Sequence, residues 1–426
     1  MKKVYKYLEE FKNEPHYLAS VNVFLSGIKE ENISEDKLLV LITPNHIIEF
    51  DVEWTDDLGK KHTEKGWRVQ HSNKLGVYKG GIRFSNTVTL DILKALAFEQ
   101  TLKNSLTGLP LGGAKGGSTF DPTHKSENEI KRFIKAFMEK LSPILGSNVD
   151  VPAGDLGVGQ KEVTLMQKEY ERVLNTKDIT FTSKLINYGG SYLRSEATGY
   201  GLCYMVNEAL KSRFGTTIKD KTLIVSGSGN VGLHAAFKAR ELGAKVIGVS
   251  DISGTIYDDQ GIDLTFIKAL KANRESFANY LVKHKHAKYS PYPKALWEIK
   301  ADIVLPCATQ DEINTEDIAK IVSNKPLLIA EGSNLGLTLK AVEYLVKKEI
   351  LFIPGKAANS GGVAVSYFEM LQNKEGVSWS ESEVDTRLKD VMKNVFRRIN
   401  EYALKHNYPY DLKRAADIVA LLTLLK

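Results

Sequence analysis

The sequence predicts an α/β protein: a mixed α/β domain, then a doubly wound parallel sheet, then C-terminal helices that return to the first domain. Three observations predict it. From about residue 221, strand-like runs alternate with helical ones, as in a parallel sheet covered by crossover helices. The segment "KTLIVSGSGNVGLHAAFKARELGAKVIGVSD" opens that region and reads strand, glycine turn, helix, helix stop at Gly243, second strand. The chain has 426 residues, 42% hydrophobic and 26% charged, which suits two cores better than one. The expected domains are 1–189, 190–363 and 364–426.

Taken in order, "NHIIEFDVEW" (45–54) alternates as a strand, and "WRVQHS" (67–72) is its expected partner. "LDILKALAFEQTLKNSL" (90–106) has helical period. "NEIKRFIKAFMEKLSPIL" and "QKEVTLMQKEYERVL" are amphipathic helices. Beyond the glycine turn, "ADIVLPCAT" (301–309), "PLLIAEGSN" (326–334) and "ILFIPGKAAN" (350–359) read as strands running into loops. "DTRLKDVMKNVFRRINEYALKH" (385–406) is the clearest helix of the tail.

Composition excludes several function classes. No run of about 18 apolar residues is present, so no membrane span is expected. The N-terminal "MKKVYKYLEEFKNEPHYL" lacks the apolar stretch of a secretory signal. Cys203 and Cys307 stand apart, the histidines are scattered, and "HKH" (284–286) reads as a solvated face. No metal site and a reducing cytoplasm are therefore expected. The net charge of +6 comes from lysines interspersed with acids, without a basic stripe. Nucleic acid is not the expected partner; anionic small molecules are.

Gly227, Gly229 and Gly232 form G-x-G-x-x-G directly after "TLIVS". The first glycine permits the tight turn, the second admits a pyrophosphate, and the third lets helix and strand pack closely. The following helix offers its free N–H groups to phosphate. This is the dinucleotide fingerprint of a Rossmann-type domain. Asp251 ends the second strand, where an acid grips a ribose 2′-hydroxyl and favours NAD. Lys271 and Arg274, in "LKANRE", are a basic pair suited to the 2′-phosphate of NADP. Residue types leave the two cofactors open.

A second set of residues carries positive charge. In the helix 90–106, Leu93, Leu96 and Ala97 form an apolar stripe that continues into Gln100, Lys103 and Asn104. Upstream, Lys79 precedes Gly80 and Gly81; downstream, "LGGAKGG" (111–117) sets Lys115 among four glycines. The glycines are expected to bring backbone N–H groups close to an anion and to let the chain close around Lys115. Three lysines converging on one cleft would suit a dicarboxylate. Crowding and burial can bring a lysine from about 10.4 towards roughly 7–8, where it acts as a base. Asp155, in "DVPAGDLGVGQKE", is either a cap acid or a proton relay.

Together these segments resemble the glutamate dehydrogenase family, in its hexameric bacterial-type, NADP-like branch. The resemblance rests on "WRVQHSNKLGVYKGGIRF", "FEQTLKNSLTGLPLGGAKGGSTFDP", "DVPAGDLGVG", "GGSYLRSEATGYG", "VSGSGNVG", "LPCATQ", "EGSN" and "PGKAANSGGVAVSYFEM", in family order over residues 45–375. It implies oxidative deamination of L-glutamate to 2-oxoglutarate and ammonia with NADP or NAD, in a homohexamer. Lys115 would be catalytic with Asp155 as its acidic partner. Lys79 and Ser366 would hold the side-chain carboxylate, Gln100 and Lys103 the α-carboxylate, and Arg194 would line the cleft. Thr198, Asn230 and Val231 of the glycine turn, Asn334 and Asn359 would meet the cofactor. Val77, Ala114 and Ser195 depart from the family pattern without removing a reacting group. Ile252 replaces a serine common in NADP-preferring relatives; "SDISGT", Lys271 and Arg274 still favour that branch. A leucine-, valine- or phenylalanine-type dehydrogenase is the alternative, although it would need an apolar pocket at Lys79 and Ser366. A catalytically silent nucleotide-binding paralogue is the other.

Overall fold

The computed structural model describes all residues, Met1–Lys426, and divides into two compact units. Unit 1 comprises Met1–Arg194, Val365–Val384 and Ala420–Lys426; unit 2 comprises Ser195–Ala364 and Asp385–Val419.

Unit 1 is built on a five-stranded mixed sheet. Its strands are β1 (His46–Thr55), β2 (Lys61–Ser72), β3 (Tyr78–Phe84), β4 (Gly113–Ser118) and β5 (Asp150–Gly154), in the order β1-β2-β4-β3-β5. The alternating stretch 45–54 is β1, and it pairs antiparallel with β2 so that Glu49 faces Trp67. The indole N–H of Trp67 donates to Glu49 at 2.9 Å. One face packs on the amphipathic helices Glu127–Leu141 and Gln160–Leu174, whose apolar stripes bury Phe133, Phe137, Met138, Val163 and Met166. Ser126 and Glu129 close a capping box at the first of these, satisfying two otherwise orphaned N–H groups. Phe120 stacks on Phe133 at 3.9 Å, with Phe84 edge-on to both. The edge-on pairs contribute about 0.5–1.5 kcal/mol each beyond burial.

The helix Leu90–Thr107 covers the β4 region of the sheet, opening at Thr89, whose hydroxyl accepts from the Ile92 N–H, and ending at Gly108 (φ 71°). Here the sequence expectation is corrected. "GAKGG" is neither a flexible loop nor a nest of N–H groups; it is β4, hydrogen-bonded between β2 and β3. Its glycines are present because side chains do not fit. A Cβ on Gly113 would lie 2.1 Å from the Thr101 hydroxyl, and one on Gly117 would lie 2.6 Å from the Arg83 carbonyl oxygen. In β3, a Cβ on Gly80 would lie 1.6 Å from the Ala114 carbonyl oxygen. The glycines let helix and strands approach closely along β4, on which Lys115 is buried.

Unit 2 carries a seven-stranded sheet of β6 (Thr222–Ser226), β7 (Lys245–Asp251), β8 (Gly254–Tyr257), β9 (Lys288–Ser290), β10 (Ile303–Leu305), β11 (Leu328–Ala330) and β12 (Leu351–Ile353). The order is β12-β11-β10-β6-β7-β8-β9; β12 through β7 run parallel, and β8 and β9 add an antiparallel edge. The order reverses at β6, which is where a doubly wound sheet places its ligand. No helix is long and apolar enough to cross a membrane. His284 and His286 of "HKH" are not merely solvated: they pair with Asp263 at 3.4 Å and Asp258 at 3.1 Å.

The C-terminal segment divides where the sequence reading kept it whole. Val365–Val384 lies in unit 1, held by the fully buried Lys184–Glu369 ion pair (2.6 Å) and by Gln372 donating to Ser191 at 3.0 Å. Asp385–Val419, expected to return to the first domain, packs in unit 2. Asp385 there accepts from Tyr204 at 2.5 Å, and Asp417 pairs with Lys356 at 2.7 Å. A helical period shows that a face is buried but not which unit buries it.

Because the atom crowding Gly80 is a backbone oxygen in a paired strand, Gly80→Ala should destabilise unit 1 by at least about 3 kcal/mol. Chemical denaturation checks this; a loss below 1 kcal/mol, taking the usual scale of a tolerated surface change, would show that the strands part easily.

Candidate active site

The charged residues of unit 1 that the sequence singled out come together around β3 and β4. Lys79 lies on β3 and is buried; Lys115 lies on β4; Gln100 and Lys103 lie on Leu90–Thr107; Asp155 follows β5. The stripe on that helix stays on the covered side: Lys103 is half-buried and Asn104 fully buried, so the polar residues do not mark the helix emerging into solvent. Asn104 donates to the Gly112 carbonyl at 2.5 Å and to the Lys79 carbonyl at 3.3 Å, clamping β3 and the β4 approach to the helix. Gln100 donates to Asn104 at 2.7 Å.

The acid–base pair is preformed. The Lys115 ammonium lies 2.8 Å from Asp155 Oδ2, and Arg83 Nε donates to the same oxygen at 3.2 Å. Burial pushes the Asp155 carboxyl up, but Lys115 and Arg83 outweigh it and hold the group at about 2. Asp155 is therefore a carboxylate at neutral pH. Arg83 escaped the sequence reading. Had "YKGGIRF" been read as a strand, alternation would have put Lys79, Gly81 and Arg83 on one face. Gly81 makes the room: a Cβ there would lie 2.9 Å from Asp155 Cβ.

The two other lysines have no carboxylate of their own. Burial, then the charges of Arg194 and Arg68, push the Lys79 ammonium well down, with Glu369 and Asp150 opposing. Lys103 is pushed down to about 8 by burial and then by Lys115, against Asp155 and Glu99. Neither ammonium makes a hydrogen bond or ion pair to a protein acceptor. Arg194, lowered by burial, donates through Nε to Ser366 Oγ at 3.0 Å. Two buried ion pairs back this group, Lys184–Glu369 and Arg68–Asp150. Neither pairing is legible in the sequence, because the partners lie 185 and 82 residues apart.

In unit 2 the three fingerprint glycines occupy distinct environments. Gly227 adopts φ 77° directly after β6, and a Cβ on Gly232 would meet the Gly227 carbonyl oxygen at 1.7 Å. Gly229 caps the helix Asn230–Glu241 with open space where a Cβ would be, and Gly229 and Asn230 are exposed, with Val231 behind them. These are the turn, the packing contact and the open approach that a pyrophosphate needs. Asp251 ends β7 with both oxygens engaged. Ser253 donates to Oδ1 from its N–H (2.8 Å) and its hydroxyl (2.6 Å); Ser228 and Lys271 donate to Oδ2 at 2.9 and 3.2 Å. Burial pushes this carboxyl up, and those donors more than reverse it. Ile252 and Arg274 are exposed. Thr198 lies in the first turn of Ala197–Phe214. Asn359 donates to Asn334 Oδ1 at 2.8 Å and to the Ser333 carbonyl at 3.1 Å, while its own side-chain oxygen is buried without a partner.

Residues 189–426 match the Glutamate/Leucine/Phenylalanine/Valine dehydrogenase family, and residues 44–172 match the Glu/Leu/Phe/Val dehydrogenase dimerisation domain. The NAD(P)-specific glutamate dehydrogenase of Xylanibacter ruminicola is 42% identical over 427 residues, covering 98% of this chain and 96% of its own. The glutamate dehydrogenase of Bacteroides thetaiotaomicron is 44% identical over 98% of this chain and 95% of its own. This chain belongs to the glutamate dehydrogenase family. The crystal structure of Plasmodium falciparum glutamate dehydrogenase agrees with a TM-score of 0.95 at 39% identity, covering 100% of this chain and 92% of that one.

For a member of this family, an anion entering beside Lys103 should restore its proton. At pH 8.5, one half-unit above its value of about 8, Lys103 is mostly neutral in the free protein. Binding glutarate should then take up roughly 0.7 proton per chain through this residue. Titration calorimetry in buffers of different ionisation heat reads the uptake, and Lys103→Met should reduce it by that amount. The same depression makes stability of the free protein rise with pH between about 8 and 10.4, where the unfolded chain holds the extra proton.

Proposed function

We propose that this protein catalyses the reversible oxidative deamination of L-glutamate to 2-oxoglutarate and ammonia, with NAD(P)+ as hydride acceptor. One observation carries the choice of substrate: the Lys79 and Lys103 ammonium groups lie in a crowded, positively charged site with no anion of their own. A dicarboxylate supplies two. Lys79, with Ser366 and Arg194, takes the side-chain carboxylate; Lys103, with Gln100, takes the α-carboxylate. A leucine, valine or phenylalanine side chain would leave Lys79 buried against hydrocarbon, which is strongly unfavourable.

The nicotinamide, when bound, supplies a two-electron acceptor; the remaining steps belong to the chain's own residues. Asp155, held ionised by Lys115 and Arg83, takes a proton from the α-ammonium, freeing the nitrogen lone pair to form the imine as hydride leaves Cα. Lys115 then exchanges a proton with the water that attacks the imine carbon and returns one to the departing ammonia. The surrounding cations steady the negative charge that develops.

The residues of unit 2 fit a dinucleotide: exposed N–H groups at Gly229 and Asn230 for the pyrophosphate, and a buried, unpartnered Asn359 oxygen beside Asn334 for the nicotinamide end. Of the two cofactors we propose NADP as the preferred one. Both Asp251 oxygens are already occupied by donors, which weakens it as an acceptor for a ribose hydroxyl. Lys271, fixed by that same acid, and the exposed Arg274 offer charge to a phosphate. Ile252, 96% exposed, offers none. We propose a homohexamer as the assembly; the match of residues 44–172 to a dimerisation domain supports association of chains.

Lys115→Ala should lower glutamate-dependent kcat at least about a thousandfold with the circular dichroism spectrum unchanged. Wild-type protein should oxidise glutamate far faster than leucine, valine or phenylalanine. Near-normal turnover of the variant, or a preference for leucine, would sink the reading. Lys271→Ala should raise KM for NADP+ about tenfold, the loss of one exposed charged contact at the strong end of its range, and shift KM for NAD+ less than twofold. Initial rates with each cofactor decide it.

A further inference from the structure

We infer that Glu331 is a positioning residue for the coenzyme: its carboxylate ties the loop bearing Asn334 to the turn bearing Asn359, so that its ionisation controls coenzyme affinity. This rests on the proposed nicotinamide role of those two asparagines. Glu331 follows β11 and is buried. Its Oε1 accepts from the Leu337 N–H and its Oε2 from the Gly355 N–H, both at 2.7 Å. The first bond closes the loop 331–337 on itself. The second reaches the start of the short helix Gly355–Ala358, which Asn359 ends. Between them, Asn359 bonds Ser333 and Asn334. Thus one carboxylate spans the two segments whose asparagines touch each other, next to an amide oxygen left buried without a donor.

The contacts are tight enough to transmit a change. A Cβ on Gly355 would lie 2.4 Å from the Ser333 carbonyl oxygen and 3.2 Å from Glu331 Oε2, so the turn has no slack against the loop. From β10's end, the Pro306 carbonyl accepts from the Gly332 and Ser333 N–H groups, fixing the loop's other side. The charged group facing Glu331 is Lys356, which is ion-paired with Asp417 at 2.7 Å; Asp417 also holds Lys413 at 3.0 Å. Lys356 is therefore shared, and it offsets the burial of Glu331 only in part. Burial pushes the carboxyl up to about 7, against the N–H groups of Leu337 and Gly355 and the charge of Lys356. Above pH 7 the carboxylate grips both N–H groups. Below it, one oxygen becomes a hydroxyl, a poor acceptor, and one of the two ties slackens.

The test is reduced-coenzyme affinity, read by nicotinamide fluorescence, at pH 6 and pH 8 in wild type and Glu331→Gln. If the ionised form alone binds, the wild-type Kd should rise about tenfold from pH 8 to pH 6. E331Q keeps the shape but presents an amide N–H to one donor, so its Kd at pH 8 should already be at least as weak as the wild-type value at pH 6 and lack the step. Comparing the two proteins removes the coenzyme's own phosphate titration. A variant that retains wild-type affinity and the same step would overturn the inference. Wild type that binds no reduced coenzyme at any pH would overturn the functional reading itself. Should E331Q fold poorly, amide hydrogen exchange in coenzyme-free wild type serves instead. After correction for intrinsic rates, Leu337 and Gly355 should lose protection between pH 8 and pH 6, and unchanged protection would count against the link.

Discussion

Holding ammonium groups in a crowded, largely buried site without matching carboxylates is the constraint on which unit 1 turns. Charge of this kind is tolerated only when the surroundings hold it rigidly and a ligand can discharge it. The protein meets the first condition with two fully buried ion pairs, Arg68–Asp150 and Lys184–Glu369, and with a helix pressed close to the sheet through glycine. In the proposed reaction the second condition falls to the substrate. Because Lys79 and Lys103 are destabilised as cations in the free protein, an entering dicarboxylate gains more than the sum of two exposed salt bridges.

The same electrostatics separates binding from chemistry. Asp155 has two cations on one oxygen and stays ionised; Lys79 and Lys103 have none and are poised to accept an anion. Environments that drive titratable groups in opposite directions are the usual mark of divided roles in a reacting site. Arg83 belongs to this division as much as Lys115 does, since both cations contact Asp155 and keep it charged.

Unit 2 solves a different problem with the same materials. A pyrophosphate needs unpaired N–H groups and an open approach, which Gly229 supplies; the neighbouring Gly227 and Gly232 are fixed by turn and packing. Asp251 and Glu331 are both carboxylates at the ends of strands, and neither is free. Asp251 accepts from two serines and is ion-paired with Lys271, whereas Glu331 has two backbone donors and a lysine already claimed by Asp417. Deeper burial, together with this weaker compensation, lets Glu331 rise to about 7, while the donors around the less buried Asp251 hold it low.

The sequence by itself determined what depends on short-range pattern. The β1–β2 pairing follows from alternation, the helices of unit 1 from their 3.6-residue period, and the dinucleotide turn from three glycines at fixed spacing before a helix. It also singled out Lys79, Lys115 and Asp155 by the glycines near them, and Lys103 by an apolar helical stripe that turns polar. Only the tertiary structure decided that "GAKGG" is a strand, because the reason for its glycines is a helix and strands packed against it rather than any local preference. It alone brought Arg83 onto Asp155, split the C-terminal helices between two units, and committed both oxygens of Asp251. Apart from the two bonds from Ser253 to Asp251, each of these depends on partners distant along the chain, and a charge or a glycine carries no label for the neighbour that folding will give it.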